Sequence, residues 1–110
     1  SDSIARYIDH AVLHPTQTYA DLEAACMLCD RVGVASICVK PSMVLRSAEI
    51  LANSSVKVST VIGFPHGGTS TVAKVAEAEQ ACEDGAVELD MGVHSGRALA
   101  GDYGYVEGDT

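Results

Sequence analysis

Positive charge is scarce in this sequence. Seven Lys and Arg stand against fifteen Asp and Glu, a net charge of −8 over 110 residues. The seven cations are scattered, and binding to a nucleic-acid backbone needs them clustered, so nucleic acid is not expected as a partner. Acidity at this level mainly supports solubility. Long apolar runs are missing too: none approaches the roughly 18 residues of a membrane span. Residues 1–7 lack the basic segment and apolar stretch of a secretion signal. A soluble cytoplasmic protein with no membrane partner is the expectation. There is no internal repeat, low-complexity tract or charge block. Neither GxGxxG nor GxxxxGK[ST] occurs. A small open nucleotide-binding domain is left with only the glycine-containing loop at residues 63–68, whose N–H groups can face a phosphate at a helix start.

What is present is ordinary for a globular protein: 47% apolar and 20% charged residues, enough chain for one small domain with its own core. The four cysteines are Cys26, Cys29, Cys38 and Cys82. The Cys26-x-x-Cys29 spacing invites a zinc or redox reading, but no second CxxC or HxxxH follows to complete a zinc site. Leu22, Ala25, Cys26 and Cys29 also recur at i, i+3, i+4 and i+7, the apolar stripe of a helix. A free cysteine packs as a small hydrophobe, and a core role is expected for this pair.

Two patterns alternate along the chain. Short β-rich runs cover residues 8–13, 36–39, 56–62 and 87–91; helical periodicity covers residues 19–32, 43–52 and 70–84. Thr18 suits the N-cap of the first helix, with Asp21 in its first turn. Gly33 and Gly85 follow the first and third helices where a left-handed residue is expected. Pro41-Ser42 ends the second strand, with Ser42 as the N-cap of the second helix. The order β-α-β-α-β-α-β, with near-continuous apolar runs such as Val56, Val58, Val61 and Ile62, predicts an α/β fold with a parallel sheet covered on both faces. Residues 96–103 read as a loop, followed by something helix-like from Tyr105.

Four segments resemble deoxyribose-phosphate aldolase. I-D-H-A-V-L-H-P at 8–15 is similar to the family's I-D-H-T-L-L-x-P, and A-S-I-C-V-K-P at 35–41 to A-S-V-C-V-N-P. V-K-V-S-T-V-I-G-F-P-H-G at 56–67 nearly repeats V-K-V-x-T-V-I-G-F-P-x-G. G-A-V-E-L-D-M at 85–91 resembles G-A-D-E-I-D-M, and the family's G-D-Y recurs at 101–103. The resemblance spans almost the whole chain in order. It implies four parallel β/α units, half of a TIM (β/α)₈ barrel, with residues 1–110 as an N-terminal half truncated before the Schiff-base lysine and most of the phosphate-binding loops.

The resemblance also assigns roles. Asp90 matches the family's catalytic aspartate, which moves a proton near the reacting carbon, and Asp9 matches an aspartate that lines the site and pairs with a lysine of the absent half. Cys38 and Phe64 fall at substrate-lining positions; Cys38 is expected to pack rather than attack, since nothing evident lowers its pKa. The implied substrate is a small phosphorylated sugar, with no metal or organic cofactor. A class I aldolase forms an imine on a desolvated lysine. Lys57 begins a strand at the stability face, Lys74 is on a helix, and Lys40 is expected as a solvated charge on the rim. None suits the role, so the chain is expected to need a C-terminal half or to self-associate. It departs from the family motifs at Ala11, which lacks the motif threonine's hydroxyl, at His14, and at His94, which stands in place of an asparagine.

Overall fold

The computed structural model describes residues 4–91 and the backbone of residues 97–99. A 3₁₀ turn, Ala5–Tyr7, leads into β1 (Asp9–Val12), α1 (Tyr19–Val32), β2 (Ser36–Val39), a second 3₁₀ turn (Pro41–Met43), α2 (Val44–Ile50), β3 (Lys57–Ile62), α3 (Thr71–Asp84), β4 (Glu88–Met91) and β5 (Arg97–Leu99). The strands lie in sequence order in one sheet, and β1 to β4 are all parallel. Each parallel step is made through a helix, as such connections require.

Local chemistry explains where the helices begin and end. Thr18 and Asp21 form a reciprocal capping box: the Asp21 N–H donates to Thr18 Oγ1 (3.2 Å), and the Thr18 N–H donates to Asp21 Oδ2 (2.9 Å). The Ala73 N–H donates to Ser70 Oγ at the start of α3. Gly33 and Gly85 end α1 and α3 in the left-handed region. At Gly85 this matters twice: φ is +113°, and an added Cβ would sit 2.8 Å from the Ala48 Cβ on α2. The second helix differs from the sequence expectation. Pro41, with its fixed φ, starts a 3₁₀ turn one residue earlier; the Met43 N–H donates to the Lys40 carbonyl at 2.8 Å, so the chain enters α2 from this turn and Ser42 caps nothing.

The core lies between the sheet and the helices. Val12, Ile37, Val39, Val58, Ile62, Leu89 and Met91 point to that side, against Leu22, Cys26 and Cys29 of α1, Met43 and Val44, and Ala78 and Ala81 of α3. The intervening strand positions face the other way, as the two-residue period requires. That second face corrects the expectation of strands apolar on both sides. It carries Asp9, Ser36, Cys38, Lys57, Ser59, Val61, Glu88 and Asp90, aligned by the registers Asp9↔Ser36↔Lys57, Ala11↔Cys38↔Ser59↔Glu88 and Val61↔Asp90.

Residues 97–99, expected in a loop, pair antiparallel with β4 in the register Glu88↔Leu99 and Asp90↔Arg97. The outer edge of β4 would otherwise present unpaired N–H and C=O groups, and a return segment five residues on is near enough to take them. His94, the G-D-Y match at 101–103 and the helix-like stretch from residue 105 lie outside the described residues.

Candidate active site

The loops that follow β1, β2 and β3 meet at the C-terminal ends of the strands. They enclose a cavity of about 390 Å³. Leu13 and Pro15 line it from the first loop, Lys40 and Pro41 from the second, Val61, Phe64 and Pro65 from β3 and its loop, and Glu77 from α3. The walls are mostly apolar, with one ammonium and one carboxylate among them, the general character of a small-molecule site.

Asp90 is the next-to-last residue of β4, half-buried on the polar face. The Cys38 thiol donates to Asp90 Oδ2 at 3.9 Å, reaching past β3 from β2. Side chains two strands apart meet only on the concave side of a strongly curved sheet, since adjacent strands are about 4.8 Å apart. The curvature is that of a barrel wall, and the polar face is its inside. Cys38 is buried and packs beside the carboxylate.

Asp9 is placed elsewhere on the same face. It begins β1, is exposed, and accepts a hydrogen bond from Ser36 Oγ at 2.6 Å. Its register line runs through Lys57, four residues before Val61, the partner of Asp90. At about 3.3 Å per residue, Asp9 therefore lies roughly 13 Å nearer the N-terminal end of the strands than Asp90. A second cavity, about 310 Å³, opens there among Arg6, Asp9, Ser36, Lys57 and Glu88. The two aspartates are not brought together.

Lys40 also differs from expectation. Rather than a solvated rim charge, it is half-buried and Nζ donates to the carbonyls of Gln17 (3.2 Å) and Pro15 (3.4 Å). The ammonium ties the loop after β1 to the end of β2. Phe64 is 50% exposed at the cavity mouth, followed by a cis peptide to Pro65. His66 is exposed in the same loop.

Glu77 was not singled out by sequence reasoning. It lies two turns into α3 and accepts the Gly63 N–H on Oε1 at 2.8 Å. Its signal in the sequence is a carboxylate directly beside the inward stripe Ala78 and Ala81. The Cys26-x-x-Cys29 pair is in the core. Burial pushes both thiols up, Cys29 to about 11 with a further push from Cys26, and a thiolate ligand or nucleophile is disfavoured at both. Among the described residues, no group of three or more His, Cys, Asp or Glu is placed to hold a metal ion, and no helix is long and apolar enough to cross a membrane.

Parallel β/α units curved around a polar inner face, with a carboxylate near the strand ends, agree with comparison to known proteins. Residues 3–102 match the model of the DeoC/LacD family aldolases, and the chain belongs to that family. Its relatives are deoxyribose-phosphate aldolases. The enzyme of that name from Rhodopirellula baltica is 46% identical over 106 residues, covering 96% of this chain and 44% of the relative. The one from Carboxydothermus hydrogenoformans is 46% identical over 103 residues, covering 94% and 45%. In three dimensions the tetrameric deoxyribose phosphate aldolase of Aeropyrum pernix superposes with a TM-score of 0.76 at 30% identity, over 80% of this chain and 38% of that one. The chain thus spans less than half the length of these relatives, and its four parallel strands, alternating with helices, are half of a TIM barrel.

Proposed function

We propose that this chain carries the acid–base side of a class I aldolase that cleaves 2-deoxy-D-ribose 5-phosphate to acetaldehyde and D-glyceraldehyde 3-phosphate. The observation that carries the reading is the position of Asp90: a half-buried carboxylate on the inner face, near the C-terminal end of β4, beside the Cys38 thiol. A carboxylate held there can take a proton from the carbon next to the carbonyl, directly or through water, and return it. Cys38 and Phe64 supply walls for the small aldehyde. Asp9, farther down the same face, is a counter-charge for a cation entering from across the barrel.

The imine-forming lysine comes from polypeptide outside these 110 residues. Lys57 begins β3, Lys74 lies on α3, and Lys40 is engaged with two backbone carbonyls. The 110-residue chain alone is therefore inactive and needs a C-terminal half to complete the site. It acts in the cytoplasm, in deoxyribonucleotide catabolism, without metal or organic cofactor. The test is a retro-aldol assay on the purified chain together with borohydride trapping in acetaldehyde. No turnover and no adduct are expected; an adduct on Lys40 would overturn the assignment of the lysine.

A second reading, a non-catalytic half-barrel that self-associates, is favoured by the exposed apolar side chains Tyr7 and Ile8 next to β1, whose outer edge has no strand beside it among the described residues. Light scattering separates the two: a monodisperse monomer removes this reading.

A further inference from the structure

We infer that Glu77 is a positioning residue for the cavity: its carboxylate fixes the turn at Gly63 and thereby holds Phe64 as the cavity wall. Its relevance to substrate rests on the aldolase reading; the placement of Phe64 does not.

Three observations converge on the turn. Gly63 follows directly on β3, and its N–H points to Glu77 Oε1 at 2.8 Å, a hydrogen bond strengthened by the acceptor's charge. The Gly63 backbone has φ +66°, and an added Cβ would lie 3.2 Å from Thr69 Oγ1 and 3.4 Å from Lys74 Cε. The Gly67 N–H then closes the loop onto the Gly63 carbonyl at 2.6 Å. Gly63 is thus held from both sides: its N–H by α3 and its carbonyl by its own loop. The next residue is Phe64, half-exposed and lining the 390 Å³ cavity together with Glu77. A half-exposed aromatic ring has little packing of its own to hold it, so its place depends largely on the backbone that carries it. The Glu77 side chain, from outside the loop, bonds the turn's backbone, and it comes from a helix anchored in the core by Ala78 and Ala81.

The chain has a single phenylalanine, so 4-fluorophenylalanine labelling yields one fluorine resonance that reports on residue 64 alone. In the wild-type chain one resonance is expected, displaced from its position in the urea-unfolded chain. Glu77→Ala should move it towards the unfolded position and speed hydrogen exchange at the Gly63 amide about tenfold or more, while the amides of Val58 and Thr60 in β3 keep their rates. Glu77→Gln, which retains a carbonyl acceptor, should restore the fluorine position. Gly63→Ala, which leaves the carboxylate intact, should displace the resonance as Glu77→Ala does. An unmoved fluorine line in Glu77→Ala overturns the inference, as does a Glu77→Gln spectrum no different from that of Glu77→Ala. Acetaldehyde titration of the wild-type line, with polypeptide that carries an imine-forming lysine supplied, is a separate arm. Failure to shift the line there counts against the aldolase reading and leaves the positioning result to the variants.

Discussion

Cys38 and Asp90 touch across an intervening strand: the thiol of β2 lies 3.9 Å from the carboxylate of β4, with β3 between them. A flat parallel sheet would hold these side chains about 10 Å apart, two strand spacings. Their contact expresses the curvature of the wall, which brings together side chains of strands that are not neighbours.

If Asp90 moves the proton, its removal costs rate more than fold. Asp90→Asn, measured in an assembly that includes the lysine-bearing half, should lower kcat by roughly 10²- to 10⁴-fold, with the thermal midpoint little changed. A variant with full kcat would remove Asp90 from the mechanism.

The thiol pair in α1 predicts a loss of stability in alkali. Cys29 is raised to about 11 from an ordinary value of 9.0, chiefly by burial. Its protonated form is thus favoured by the folded state. The contribution is complete below pH 9 and is lost as pH rises towards 11, with a slope of up to about 1.4 kcal/mol per pH unit for one group. Urea unfolding at pH 8, 9 and 10 should show a falling midpoint, and Cys29→Ala should flatten the trend even though it lowers stability at pH 8.

Gly85 ends α3 against α2. Gly85→Ala introduces a side chain at φ +113° with its Cβ 2.8 Å from the Ala48 Cβ. The backbone conformation costs about 1–2 kcal/mol and the crowding about 1–3 kcal/mol more. Urea denaturation should register a loss in that combined range; a neutral substitution would mean that α2 and α3 are not packed this closely.

Lys40 holds the loop after β1 through two carbonyls. Lys40→Met keeps the stem and removes the donors. Faster hydrogen exchange at Thr16 and Gln17 is expected, with β2 and β3 unaffected. Unchanged exchange in the loop would return Lys40 to the role of a rim charge.

Much of this was legible in the residues themselves. The α1 boundaries follow from the Thr18 and Asp21 capping pair and from Gly33, because caps act within a few residues and tolerate few alternatives. The alternation of strand and helix periods led to a parallel α/β sheet, and the ordered motifs at 8–15, 35–41, 56–67 and 85–91 led to the aldolase family. Where the prediction slipped, a competing effect prevailed, local in one case and long-range in the other. Pro41 seeded a turn before Ser42 could cap a helix, and the open edge of β4 drew residues 97–99 into pairing.

Tertiary structure alone decided which side chains meet. Asp9 and Asp90 are both strand aspartates in matching motifs, yet register places them roughly 13 Å apart along the strand direction. Lys40 became a tether because the loop after β1 folds its carbonyls over the end of β2. Glu77 entered the site because α3 packs back across β3 and brings a residue fourteen positions on to the Gly63 amide. A sequence specifies the periodicities and caps, since these depend on neighbours a few residues away. The meeting of Cys38 with Asp90, fifty-two residues apart, depends on the curvature of the whole sheet, which no local segment encodes.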